Sequence, residues 1–160
     1  MTALVLTLSV MQAGAVVLDN EYVKVTKNGA PCAVAPASCG ARVIVALAEV
    51  ELAGMGAPRK LRRGDIAVFQ AGEAHALPGG GDYLEVAFKP GHPPVKSPPA
   101  LIPPDKNTLV YDGPEFFVFE EKLDPGDTRP RHSHSQRLVI VLNDTRLQQW
   151  PEGEPEVFRT

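Results

Sequence analysis

Short runs of β-branched and aromatic residues, punctuated by glycine and proline, recur along the chain. Glu21-Tyr22-Val23-Lys24-Val25, Arg42-Val43-Ile44-Val45-Ala46-Leu47, Ile66-Ala67-Val68-Phe69 and Tyr83-Leu84-Glu85-Val86-Ala87-Phe88 follow one another, with glycine-rich turns at Gly54 to Gly56 and Gly79 to Gly81. Such spacing predicts an all-β sandwich or barrel. Prolines 90, 93, 94, 98, 99, 103 and 104 then break the pattern and favour an extended, semi-rigid connector. Strands resume at Phe116-Phe117-Val118-Phe119 and at Arg137-Leu138-Val139-Ile140-Val141-Leu142. At the start, Leu4, Leu6, Leu8 and Val10 alternate with Val5, Thr7 and Ser9, the pattern of an edge strand. The same stretch runs up to Ala13-Gly14-Ala15, a small-x-small cleavage pattern, and so reads, in preference, as the remnant of an export signal that lacks its positive start.

The chain repeats itself. Arg42–Leu47 aligns with Arg137–Leu142 at an offset of 137 − 42 = 95, which also sets Val23 on Val118 and Leu52 on Leu147. Under this register Arg63-Gly64-Asp65 falls on residues 158–160, so the second repeat is expected to lack counterparts of Gly64 through Phe88. The expected organisation is a leader or edge strand at 1–15, a first repeat at 16–89, a proline-rich linker at 90–108 and an incomplete second repeat at 109–160.

Composition narrows the functions. With 16 prolines a helical bundle is disfavoured, and a net charge of −3 gives no basic face for nucleic acid. No apolar run is long enough to span a bilayer as a helix. Cys32 and Cys39 form a closely spaced even pair, expected to be a disulfide in a periplasmic or secreted protein and two reduced small hydrophobes in a cytoplasmic one.

The chemistry concentrates in Gly126-Asp127-Thr128-Arg129-Pro130-Arg131-His132-Ser133-His134. Two residues apart on a strand, His132 and His134 present both imidazoles to one side, half of a site for a divalent transition metal. Gln136 shares that strand face and offers a carbonyl oxygen. Gly-x5-His-x-His resembles the first half of the first cupin motif, although Leu138 and Val139 stand where that family places a glutamate. Gly64-x5-Gln70-Ala71-Gly72-Glu73-Ala74-His75 is similar to the second cupin motif, with Gln70 for its proline and Gly79 for its usual asparagine. In the first repeat, Ala37 and Cys39 occupy the positions of His132 and His134.

The resemblance implies a cupin-type antiparallel β-barrel of jelly-roll kind, built from two repeats. It makes His75 the equivalent of the last metal histidine, here expected at a barrel mouth, with Arg137 near a pocket. Iron, manganese, nickel or zinc at His132 and His134 is the implied cofactor, and a small-molecule ligand the implied partner. Cupins include oxygenases, isomerases, sugar-binding modules and storage proteins, so the barrel does not choose an activity. Three readings follow: a non-catalytic small-molecule binder, a metal-dependent oxygenase or isomerase, and a structural role. In the last, the incomplete repeat associates with another chain, giving a homo-oligomer that can be strand-swapped. Phe116, Phe117 and Phe119 fit core packing better than a pocket wall, the basic cluster Arg59, Lys60, Arg62 and Arg63 fits a solvated hairpin, His92 fits the linker, and Trp150 is expected to cap a barrel end.

Overall fold

The computed structural model describes residues 14–29, 36–54, 57–76, 81–91, 105–129, 137–150 and 153–159. Among them the chain forms strands β1 (Ala15–Asp19), β2 (Val23–Lys27), β3 (Arg42–Ala46), β4 (Val50–Gly54), β5 (Arg59–Leu61), β6 (Ile66–Phe69), β7 (His75–Ala76), β8 (Tyr83–Phe88), β9 (Asn107–Asp112), β10 (Phe117–Glu121), β11 (Leu147–Gln149) and β12 (Val157–Arg159). A single 3-10 turn covers Pro36–Ser38, and no described helix is long and apolar enough to cross a membrane. The chain divides into two units, Met1–Pro94 and Val95–Thr160. The readings of residues 1–13 lie outside the described residues.

In the first unit an antiparallel sheet runs β1-β2-β8-β3-β6 and a smaller one runs β5-β4-β7. All five residues of β3 are buried, which is why its sequence is apolar almost throughout rather than alternating. Register places Ile44 opposite Ala67 and Ala46 opposite Tyr83, so these four share one face. That face packs with Val50 and Leu52 of β4 and Leu61 of β5 into one core, with Phe69 against its edge. Burying each of the larger apolar side chains contributes about 1.5–3 kcal/mol.

The second unit has a β9–β10 pair and a β11–β12 pair, both antiparallel. Its β9–β10 pairing carries a one-residue register shift, as does β1–β2 in the first unit. Phe116 is buried beside Tyr111, with ring centroids 5.0 Å apart, whereas Phe117 and Phe119 are only half-buried and stack on each other. Two expectations are corrected here. Residues 137–142 form no strand, and Trp150 is 65% exposed instead of capping an interior.

One turn recurs. At Arg62–Asp65, Gln70–Glu73 and Asp124–Asp127, the N–H of the fourth residue donates to the carbonyl of the first, and the fourth carboxylate accepts from the N–H of the first. The third residue is always glycine, with φ of 89° at Gly64, 82° at Gly72 and 89° at Gly126. A positive φ at that position is the condition for a type II turn, and glycine meets it without steric cost. The turn at Asp124–Asp127 is tied down further: Lys106 Nζ reaches Asp127 Oδ2 at 2.7 Å.

Candidate functional site

Among the described residues of the first unit, three charged or polar side chains, Arg42, His75 and Glu85, are buried, at 2%, 1% and 8% exposure. The fold converges them. Arg42 lies opposite Phe69, and Glu85 lies opposite Ile44, two residues along from Arg42, so all share the core-facing side of the large sheet. The Gln70–Glu73 turn carries the chain out of β6, and pairing of β7 with β4 sets His75 opposite Gly54.

Arg42 is at the centre. Its Nε donates to His75 Nδ1 at 3.1 Å, its Nη1 to the Gly40 carbonyl at 2.8 Å, and its Nη2 to the Glu73 carbonyl. Glu85 Oε1 stands 3.7 Å from Arg42 Nε, an ion pair rather than a hydrogen bond. The Arg42 guanidinium lies 5.4 Å from the centroid of Phe69, whose ring stacks on His75 at 4.5 Å.

This arrangement assigns the tautomer of His75. Because Nδ1 accepts from an arginine N–H, the proton of the neutral ring belongs on Nε2. That atom is buried and has no hydrogen-bond partner among the described residues. Burial first, and the positive charge of Arg42 second, lower the His75 pKa to about 4, so the ring is neutral at physiological pH. Burial pushes the Glu85 carboxyl up, partly opposed by Arg42, and lowers the Arg42 pKa against the raising influence of Glu85 and Glu73. Tyr83, whose hydroxyl donates to the Gly29 carbonyl, is raised by burial and by Glu85.

Chemically, the cluster offers one buried N–H donor and little else. A metal ion at His75 Nε2 would have to displace its proton while Nδ1 still accepts from Arg42, which demands an imidazolate. The donor set therefore does not suit a metal. Among the described residues no group of three or more His, Cys, Asp or Glu is placed to hold one.

The residues singled out by sequence divide as follows. His75 lies in the interior, not at a mouth, joined by Arg42 and Glu85. Arg137 is exposed and belongs to the second unit. His132, His134, Gln136 and Cys32 lie outside the described residues, while Cys39 is buried and disulfide-bonded. Arg59 donates to the Ile66 carbonyl, Arg63 to that of Leu47, and Lys60 pairs with Glu49 at the surface.

Arg42 and Glu85 are the site residues that sequence reading passed over. Their signal was present: one charge of each sign, each inside an otherwise apolar strand run. In comparisons with protein-family models and with curated proteins, the chain matches none.

Proposed function

We propose that this chain is a cupin-type protein of two related repeats whose first repeat has exchanged metal chemistry for an internal, ion-paired plug, and which binds a small molecule without catalysing its conversion. The observation that carries the reading is the Arg42 Nε–His75 Nδ1 hydrogen bond at 3.1 Å. At the position where the resemblance calls for a metal histidine, it leaves a neutral ring whose remaining nitrogen is a donor. The disulfide-bonded state of Cys39 supports pairing with Cys32, the other cysteine of the chain, and an oxidising, extracytoplasmic location.

A second reading keeps metal in the other repeat. It is favoured by the turn at Gly126, which has the same φ of 89° as that at Gly64 and leads toward His132 and His134. There the two imidazoles would hold iron, manganese, nickel or zinc, leaving the rest of the shell to water or another group.

Elemental analysis of freshly purified full chain, with a thermal-shift screen of small acids and sugars, separates the two. The binding reading expects metal well below one ion per chain, and at least one small acid or sugar that raises the melting temperature without added metal. About one ion per chain, lost in a His132→Ala, His134→Ala double variant, would overturn it in favour of the enzyme.

A further inference from the structure

Among the asparagines of the chain, at positions 20, 28, 107 and 143, Asn28 alone is followed by glycine. The fold accounts for the pair. Asn28 directly follows β2, and its N–H donates to the Tyr83 carbonyl at 3.0 Å. Its φ of 53° is the one positive value at a non-glycine residue among those described, a left-handed conformation that asparagine tolerates better than most side chains. Gly29 is buried, and a Cβ added there would stand 2.5 Å from Thr26 Oγ1. The turn thus selects the dipeptide in which a side-chain amide precedes a backbone nitrogen that no side chain shields.

Asn28 is exposed, yet both ends of its amide are held. Nδ2 donates to Asp82 Oδ1 at 3.0 Å, and Oδ1 accepts from the Tyr83 N–H at 3.0 Å. Asp82 also pairs with Lys27 at 3.2 Å.

We propose that Asn28 is a site of spontaneous deamidation, kept intact by Asp82 and Tyr83 while the β2–β8 ladder is closed and converted to aspartate in molecules where it opens. On opening, the side chain turns from these partners toward the Gly29 nitrogen. That nitrogen gives up its proton and bonds to Asn28 Cγ, the Cγ–Nδ2 bond breaks, and ammonia leaves with the proton. Water then adds to either carbonyl of the cyclic imide, giving aspartate or its β-linked isomer, with no oxidant or reductant required. In the product a carboxylate oxygen replaces the Nδ2 donor that faces Asp82, so two like charges meet where a hydrogen bond stood. The change therefore loosens the ladder it reports on, and it is independent of the ligand-binding reading.

Peptide mass spectrometry on full chain held in mildly alkaline buffer, with and without urea, tests this. Asn28 should convert fastest in urea and slowly in the folded chain, while Asn20, Asn107 and Asn143 remain amides. Asp82→Ala should speed conversion in the folded chain about tenfold, equivalent to about 1.4 kcal/mol, roughly the worth of one hydrogen bond to a charged group. Asn28→Asp should lower the urea midpoint, and adding Asp82→Asn should recover it, since the new amide can donate to the new carboxylate. That pair of midpoints keeps the proposal falsifiable if Asp82→Ala does not fold. An amide at Asn28 that persists in urea, conversion equally fast with and without urea, or an Asn28→Asp chain as stable as wild type overturns the proposal.

Discussion

The two units are made of similar strands yet hold themselves together differently. In the first, β3 has a neighbour on each side and a second sheet across its inner face, and thirteen of the fourteen buried hydrophobic residues among those described belong to this unit. In the second, two separate pairs of strands leave Leu109, Val110, Val139, Val141 and Phe158 exposed, and Phe116 is the one buried hydrophobic among the described residues. β-forming side chains are common to both. What differs is whether a strand is flanked and covered, since that alone removes apolar area from water. The interior of the first unit is closed enough to bury an ion pair, whereas the second keeps its ion pairs at or near its surface.

The contrast is open to attack, and the sharpest way is to remove an arginine from each unit. Arg42→Ala strands Glu85 and the Gly40 and Glu73 carbonyls in the interior, and should cost about 3–5 kcal/mol in urea unfolding. Arg129→Ala, which frees the partly exposed Glu121, should cost about 1 kcal/mol or less. Equal losses would mean that the two interiors do not differ as described.

Acid should act on the first unit next. The folded pKa of His75, about 4, lies below its ordinary value of 6.5, so between those values the unfolded chain binds more protons. Stability is therefore complete above pH 6.5 and falls as the pH drops toward 4, by on the order of 3 kcal/mol across that window. Glu85 works the other way: its raised pKa takes up a proton in the folded state first, so acidification recovers stability there and blunts the loss. Chemical denaturation from pH 7.5 to 4.5 should show the decline in wild type and a flatter profile in His75→Gln. An unchanged slope in that variant would assign the acid response elsewhere.

A modest effect should be common to both units. Gly64→Ala and Gly126→Ala each force a side chain into a φ of 89°, at about 1–2 kcal/mol. At Gly126 an added Cβ meets nothing within 4 Å, so the cost there is conformational alone. Hydrogen exchange at Asp65 and Asp127 should rise in the matching variant. A silent Gly126→Ala would show that the shared turn does not stabilise the second unit.

Strand positions were legible wherever a β-branched run had partners to pair with. Arg42 to Ala46, Ile66 to Phe69 and Tyr83 to Phe88 appear as expected, since local propensity and tertiary pairing agree. Residues 137–142 carry the same propensity and form no strand, because a strand exists only through hydrogen bonds to a neighbour that sequence pattern does not supply. His75 was legible as a residue of interest through its glycine spacing. Its role was not, because a ligand histidine and a buried structural one have the same spelling, and the group that distinguishes them, Arg42, lies 33 residues away.

By itself, then, the amino-acid sequence determined the all-β character and the positions of β2, β3, β6 and β8 in the first unit. These follow from local properties, above all side-chain branching. Only the tertiary structure decided that opposite charges in β3 and β8 meet inside the core, and that the His75 ring takes its proton on Nε2 because Arg42 occupies Nδ1. It alone also decided that one β-branched run is covered and the other exposed. Each of those outcomes depends on which residues, distant along the chain, share a face, and that is a property of strand register rather than of any local segment.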